Sequence, residues 1–141
     1  MERLKLDLEQ LEKALKTLLD SFDVLSQAKS MNNQTFVLAA EDSIIQRFEY
    51  TYESFWKFLK KYLKTIDTLE DHLSPKKVFH ASYKTGVCTL EEASICIDMA
   101  DSRNETSHTY SIEASRVILS DIPHYYATMN KVINRLAQKI D

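Results

Sequence analysis

The chain has 141 residues, 44% of them hydrophobic, and a formal net charge of -3. That length suits one domain with its own core, and the charge argues against a surface that coats nucleic acid wholesale. Gly86 is the only glycine, which excludes phosphate-cradling loops of the Walker or dinucleotide-binding type.

The two cysteines, Cys88 and Cys96, are too few and too plainly spaced for a disulfide framework or a zinc site, so no metal or other cofactor is expected. The opening Met1-Glu2-Arg3-Leu4-Lys5-Leu6-Asp7 lacks a secretory apolar core. No apolar run approaches membrane-spanning length. The expectation is a soluble, cytoplasmic protein.

Helical periodicity governs the chain from its start. Leu4, Leu8, Leu11, Leu15, Leu18, Phe22 and Leu25 recur in steps of four and three, the stripe of one long helix suited to shallow-angle bundle packing. Ala28 to Gln34 reads as a connection. A second long helix is predicted from about Thr35 to about Leu69, with a stripe of Ile45, Phe48, Tyr52, Phe55, Leu59, Tyr62, Ile66 and Leu69. Trp56 and Leu63 add a second apolar face to it. Ser74-Pro75 starts a short helix, with Ser at the N-cap and Pro at the first helical position. That helix should stop near Gly86, the one residue able to take a left-handed conformation without steric cost. Thr89-Leu90-Glu91-Glu92 has capping-box form and launches a fourth helix through Ile95, Ile97 and Met99. A last helical region covers roughly Ser111 to Ile140. Pro123 inside it, with Asp121 as a new cap, predicts a kink or a break. The fold class read from this pattern is all-α: one domain, an antiparallel up-down four-helix bundle with an extra short helix.

Three segments carry chemistry. The first is Arg103-Asn104-Glu105-Thr106-Ser107-His108-Thr109-Tyr110. Arg holds phosphate through a planar fork of donors, and His moves a proton near neutral pH. On an ideal helix Arg103 and His108 stand about 140° apart, so Arg, His and Tyr converge only if the helix ends within the motif or two copies meet. The bland alternative is a helix terminus whose Arg pairs with Glu105 or Asp101. The second segment is the aromatic run from Phe48 to Tyr62. Interleaved with Lys it could stack bases, but at helical spacing Phe48, Tyr52 and Phe55 read as core. Glu49 and Glu53 repel each other across one turn, with Arg47 and Lys57 as compensating cations. The third is Lys57, Lys60, Lys61 and Lys64, at i, i+3, i+4 and i+7 on one face. From Lys57 to Lys84 the chain carries +4, against -7 elsewhere. A solvated face is the default reading, and a phosphate-attracting rim for RNA or an acidic partner is the alternative.

The run Arg47-Phe48-Glu49-Tyr50-Thr51-Tyr52-Glu53, with Trp56, Lys57 and Lys60 following, resembles a signature of the nucleotidyltransferase substrate-binding protein family. Those proteins are helical members of the HEPN superfamily. Ser74-Pro75-Lys76 and then Arg103-Asn104, Ser107-His108 and Tyr110 continue the resemblance in order, over about residues 5 to 138. It implies a homodimeric four-helix bundle that partners a minimal nucleotidyltransferase on a separate chain, in a toxin-antitoxin-like system. The Gly-Ser and paired-Asp signature of the transferase itself is missing here. Related HEPN proteins with Arg-x4-His act as metal-independent ribonucleases. Carried onto this chain, the resemblance implies that His108 activates a ribose hydroxyl or assists the leaving oxygen. It further implies that Arg103 stabilises charge on the phosphate and Asn104 orients the site. Tyr110 becomes a neighbouring hydroxyl and an acceptor of adenylyl groups. Substrate binding without catalysis, ribonuclease activity and a purely structural dimer are the three functions left open.

Overall fold

The computed structural model of the chain describes residues 2–66, 73–108 and 112–140, apart from the side chains of Ser107, His108 and Ile112. Five helices account for most of them: α1 (Glu2–Ser30), α2 (Gln34–Ile66), α3 (Pro75–Lys84), α4 (Leu90–His108) and α5 (Ile112–Ile140). All-α is the class the periodicity predicts.

The first stripe does what its spacing requires. Leu4, Leu8, Leu11, Leu15 and Leu18 are buried, and Phe22 and Leu25 pack partly against the core. α1 continues three residues into the Ala28–Gln34 stretch, to Ser30, further than its polar composition suggests. It ends in a tight turn where Asn32 takes φ 53, a left-handed conformation that Asn tolerates better than most residues. Asn33 then caps α2, its Oδ1 accepting from the amides of Thr35 (3.0 Å) and Phe36 (3.3 Å). So short a turn makes α1 and α2 antiparallel. The pairing of Lys61 Nζ with Asp7 Oδ2 (2.9 Å), and the bond from Thr51 Oγ1 to the Ala14 carbonyl (3.3 Å), tie the two along their length.

On α2, Phe48, Tyr52, Phe55, Leu59, Tyr62 and Leu63 are buried, while Ile66 at the helix end is half exposed. Leu69 lies outside the described residues. α3 begins as expected at Ser74-Pro75, but Ser74 caps only through its carbonyl, which accepts from the Val78 amide (3.0 Å). Gly86 terminates the segment with φ 80. α3 lies over α2 and α4, and its Phe79 ring meets Tyr52 (6.3 Å) and Phe55 (6.2 Å).

The capping box forms in full. The Glu92 amide donates to Thr89 Oγ1 (3.1 Å), and Glu92 Oε1 accepts from the Thr89 amide (2.9 Å). Glu92 is 5% exposed and its carboxylate does more than cap. The guanidinium of Arg135, near the end of α5, grips it bidentately, Nη1 to Oε2 at 3.2 Å and Nη2 to Oε1 at 2.5 Å. Nη2 also donates to the Val87 carbonyl (3.1 Å). Ten residues on along α4 and ten back along α5, the hydroxyls of Ser102 and Tyr125 meet at 2.9 Å. These two contacts set α4 and α5 antiparallel in a single register. Tyr125 stacks on Phe48 (5.7 Å, 24°), which seats the α4–α5 pair against α2.

α5 runs through Pro123 without a break, and Asp121 is an exposed mid-helix residue rather than a cap. The proline forfeits one backbone bond at roughly 3 kcal/mol. Ile118, Ile122, Tyr125, Met129, Val132, Ile133 and Leu136 are all buried around it. Each such side chain contributes about 1.5–3 kcal/mol, so burial of the continuous face outweighs the lost bond.

Removing Arg135 should therefore be costly. Arg135→Ala leaves a buried carboxylate without its cation. Because the guanidinium is itself a third exposed, the expected loss is about 2 kcal/mol rather than the 3–5 of a fully buried pair, read as a lower midpoint in urea unfolding.

The pair also fixes a pH response. Burial pushes the Glu92 carboxyl upward, but the Arg135 bond and the Thr89 amide outweigh it, and the group titrates below the ordinary range. Its contribution is present above the unfolded value of about 4.3 and is lost as pH falls through the lower folded value. Wild type should lose stability on acidification from about pH 5 to pH 3, and Glu92→Gln should lose less over that window. Tyr125→Phe, which deletes the hydroxyl facing Ser102, should cost about 1 kcal/mol in the same unfolding assay.

Candidate functional site

The α4–α5 register decides where Arg103 goes. It sits one residue past Ser102, so with Ser102 held toward Tyr125 the guanidinium is directed to the α2 side of α4. There Arg103 Nη2 lies 3.9 Å from Glu49 Oε2, with the two side chains 28% and 30% exposed. At that separation the two charges attract without a hydrogen bond. Thr106 Oγ1 donates to the Arg103 carbonyl (2.8 Å), holding the backbone of the last turns.

Glu49 belongs to the aromatic segment of α2, so two segments that sequence reading treated separately meet through this pair. The anticipated repulsion between Glu49 and Glu53 is compensated differently for each. Glu53 takes the Trp56 Nε1 donor (2.9 Å) and Lys57 Nζ (3.9 Å), while Glu49 faces Arg103 across the helix interface. Sequence reading missed that role. The only available signal was the same-face spacing of Glu49, Glu53 and Lys57, which shows where Glu49 points but not what it meets.

Tyr52, three residues after Glu49 on α2, is buried. Burial first, and the Glu53 charge second, raise its phenol well above the ordinary tyrosine range, with Arg103 pulling weakly the other way. Tyr52 stays neutral at any physiological pH and is no base. Beside Arg103 on α4, Asp101 is engaged by Lys76 of α3 at 2.6 Å. The opposite flank of α4 borders a cleft of about 380 Å³ facing α5, lined by Asp98, Asp101, Ser102, Asp121, His124 and Tyr125.

The remaining predicted residues fall as follows. Asn104 is exposed on α4. His108 is the last residue of α4, and its side chain lies outside the described residues, as does all of Tyr110. The helix ends inside the motif but not between Arg103 and His108, so those two remain about 140° apart around one continuous helix. Lys57 pairs with Glu53, whereas Lys61 turns to Asp7 of α1. Lys57 and Lys61 border a shallow groove of about 160 Å³ between α1 and α2, together with Asp7, Gln10 and Ser54. Lys60 is half-buried and Lys64 exposed. Measured along α2, Lys57 stands about 12 Å from Glu49 and Lys64 about 22 Å, at 1.5 Å per residue. A ligand touching both Arg103 and the lysines would have to be several nucleotides long.

Among the described residues no cluster of His, Cys, Asp and Glu could hold a metal ion. No described helix is long and apolar enough to cross a membrane.

Comparison with known proteins identifies the scaffold. A Thermus thermophilus protein of known crystal structure is 36% identical with a TM-score of 0.74, the match covering 89% of this chain and 98% of that one. A Haemophilus influenzae structure, reported as the fold of a substrate binding domain of a nucleotidyltransferase, superposes with a TM-score of 0.80 at 23% identity, over 92% and 98% of the two chains. A tri-AMPylated HEPN toxin from Shewanella oneidensis, in complex with MNT antitoxin, gives a TM-score of 0.74 at 15% identity over 96% of each chain. No curated protein matches significantly. Residues 6–138 match the family described as nucleotidyltransferase substrate binding protein like, and the chain belongs to that family.

Proposed function

We propose that this chain is the substrate-binding subunit of a two-chain system in which a minimal nucleotidyltransferase, on a separate polypeptide, performs the transfer. The observation that carries the reading is the meeting of Glu49 with Arg103. It joins the two family-bearing segments into one polar site, with a cation partly open to solvent. In this reading Arg103 receives a phosphate of the substrate, Asn104 lies at the rim, and His108 and Tyr110 take part in the site. Lys57, Lys60, Lys61 and Lys64 extend it for a long ligand such as RNA. The Haemophilus relative's role in a nucleotidyltransferase supports the pairing.

The working unit in this reading is a homodimer in the cytoplasm. A second copy supplies the His108 that the continuous helix keeps away from Arg103. Sedimentation at micromolar concentration should return a dimer, and a monomer would rule the shared site out.

A second reading has its own support, because a neighbour of the same fold is an AMPylated toxin held by an antitoxin. Under it, the chain is a metal-independent ribonuclease. Arg103 stabilises the phosphate, His108 moves the proton, and Tyr110 accepts the silencing adenylyl group.

One assay separates the readings: purified protein is incubated with labelled single-stranded RNA in EDTA, alongside Arg103→Ala and His108→Ala. The subunit reading predicts retention of RNA without cleavage, at least ten-fold weaker in Arg103→Ala. Cleavage by wild type that disappears in His108→Ala establishes the ribonuclease instead. RNA that wild type does not cleave and that Arg103→Ala retains as tightly as wild type contradicts both.

A further inference from the structure

Arg103 is the only Arg or Lys on α4, which carries five carboxylates: Glu91, Glu92, Asp98, Asp101 and Glu105. Two of the five are compensated from other helices, Glu92 by Arg135 and Asp101 by Lys76. On its α2 side Arg103 faces a further carboxylate, Glu49, at 3.9 Å. Within one turn, then, Arg103 is set among Asp101, Glu105 and Glu49, and the one other cation placed there, Lys76, is drawn onto Asp101. The lysines of α2 begin about 12 Å away along the helix, beyond a Debye length of about 8 Å at physiological salt. Such a surround attracts a singly charged phosphate far better than a polyphosphate, since each added ligand charge gains little more from Arg103 and meets more repulsion from the carboxylates.

We infer that Glu49 is a specificity-determining residue of this site, limiting Arg103 to low-charge phosphodiesters and excluding metal-free polyphosphates such as a nucleoside triphosphate tail. The inference rests on Arg103 being the phosphate-binding group proposed above. It gives the two chains of the system different ligands. The helical chain takes the diester-containing acceptor, and the triphosphate donor is left to the transferase.

Two other properties of Glu49 suit the role. It is held on a helix packed into the core through Phe48 and Tyr52, so its charge is fixed in place. It also stands off from Arg103 at 3.9 Å, unlike the close two-pronged contact between Glu92 and Arg135. A pair this exposed contributes little to stability, so its charge can be altered without unfolding the protein.

The test compares two probes, a dinucleoside monophosphate and inorganic tripolyphosphate. Binding is followed by calorimetry in EDTA at low salt, on wild type, Glu49→Gln, Glu49→Asp and Arg103→Ala. At roughly 6 Å in a water-like dielectric, Coulomb's law gives about a three-fold effect per unit of ligand charge. Glu49→Gln should therefore bind the dinucleotide about three-fold tighter and tripolyphosphate about ten-fold tighter or more. Glu49→Asp, which keeps the charge, should retain the wild-type ratio. Thermal unfolding should separate Glu49→Gln from wild type by no more than a few degrees. A Glu49→Gln variant that changes both affinities equally, weakens either, or matches wild type overturns the inference while leaving Arg103 as the binding residue. Undiminished binding of both probes by Arg103→Ala overturns the site reading and this inference with it.

Discussion

One carboxylate at the start of α4 organises the part of the molecule that matters most. Glu92 closes the capping box with Thr89 and accepts the two-pronged grip of Arg135 from the far end of α5. The same guanidinium also satisfies the Val87 carbonyl. Because burying a charged pair costs desolvation that only good geometry repays, such a contact tolerates one alignment of the two helices and penalises its neighbours. A slip by one helical turn would strand both charges. The Ser102–Tyr125 contact, ten residues away on each helix, agrees with the register Glu92 and Arg135 impose.

From that register the position of the proposed site follows by packing. Tyr125 stacks on Phe48, and Phe48 precedes Glu49 directly on α2. Ser102 precedes Arg103 directly on α4. Two buried or half-buried residues that hold the helices together thus carry, one position along, the two charged residues that face each other. The apolar contacts fix the position of the charged pair. This division explains how a partly exposed pair that is itself worth little in stability is held in a defined geometry.

The elements were legible in the sequence wherever the information is local. The stripes of α1 and α2, the Ser74-Pro75 start, the Gly86 stop and the Thr89–Glu92 capping box each depend on residues within a few positions of one another. Pro123 misled because the local rule against proline competes with a continuous apolar face on both sides of it, and the face wins only once the rest of the bundle is present to bury it. Ile66 fitted the periodic stripe but sits at the end of α2, where the described bundle leaves it half exposed. The Glu49–Arg103 and Glu92–Arg135 pairs were not legible, because a contact between helices depends on their relative register, which no local spacing encodes. The chemical character of Arg103 through Tyr110 could be read from residue types. Its connection to the aromatic segment of α2 came first from family resemblance, and the structure gives it a physical form in one ion pair.

The central claim is that Arg103 and Glu49 belong to one ligand site. It is tested most directly by locating a bound ligand. Backbone amide shifts of the isotope-labelled protein can be followed by nuclear magnetic resonance during titration with a dinucleoside monophosphate. The account predicts saturable shifts that cluster around Arg103 on α4 and around Glu49 on α2. Shifts confined to the Lys57–Lys64 face, or to the acidic cleft between α4 and α5, would contradict it.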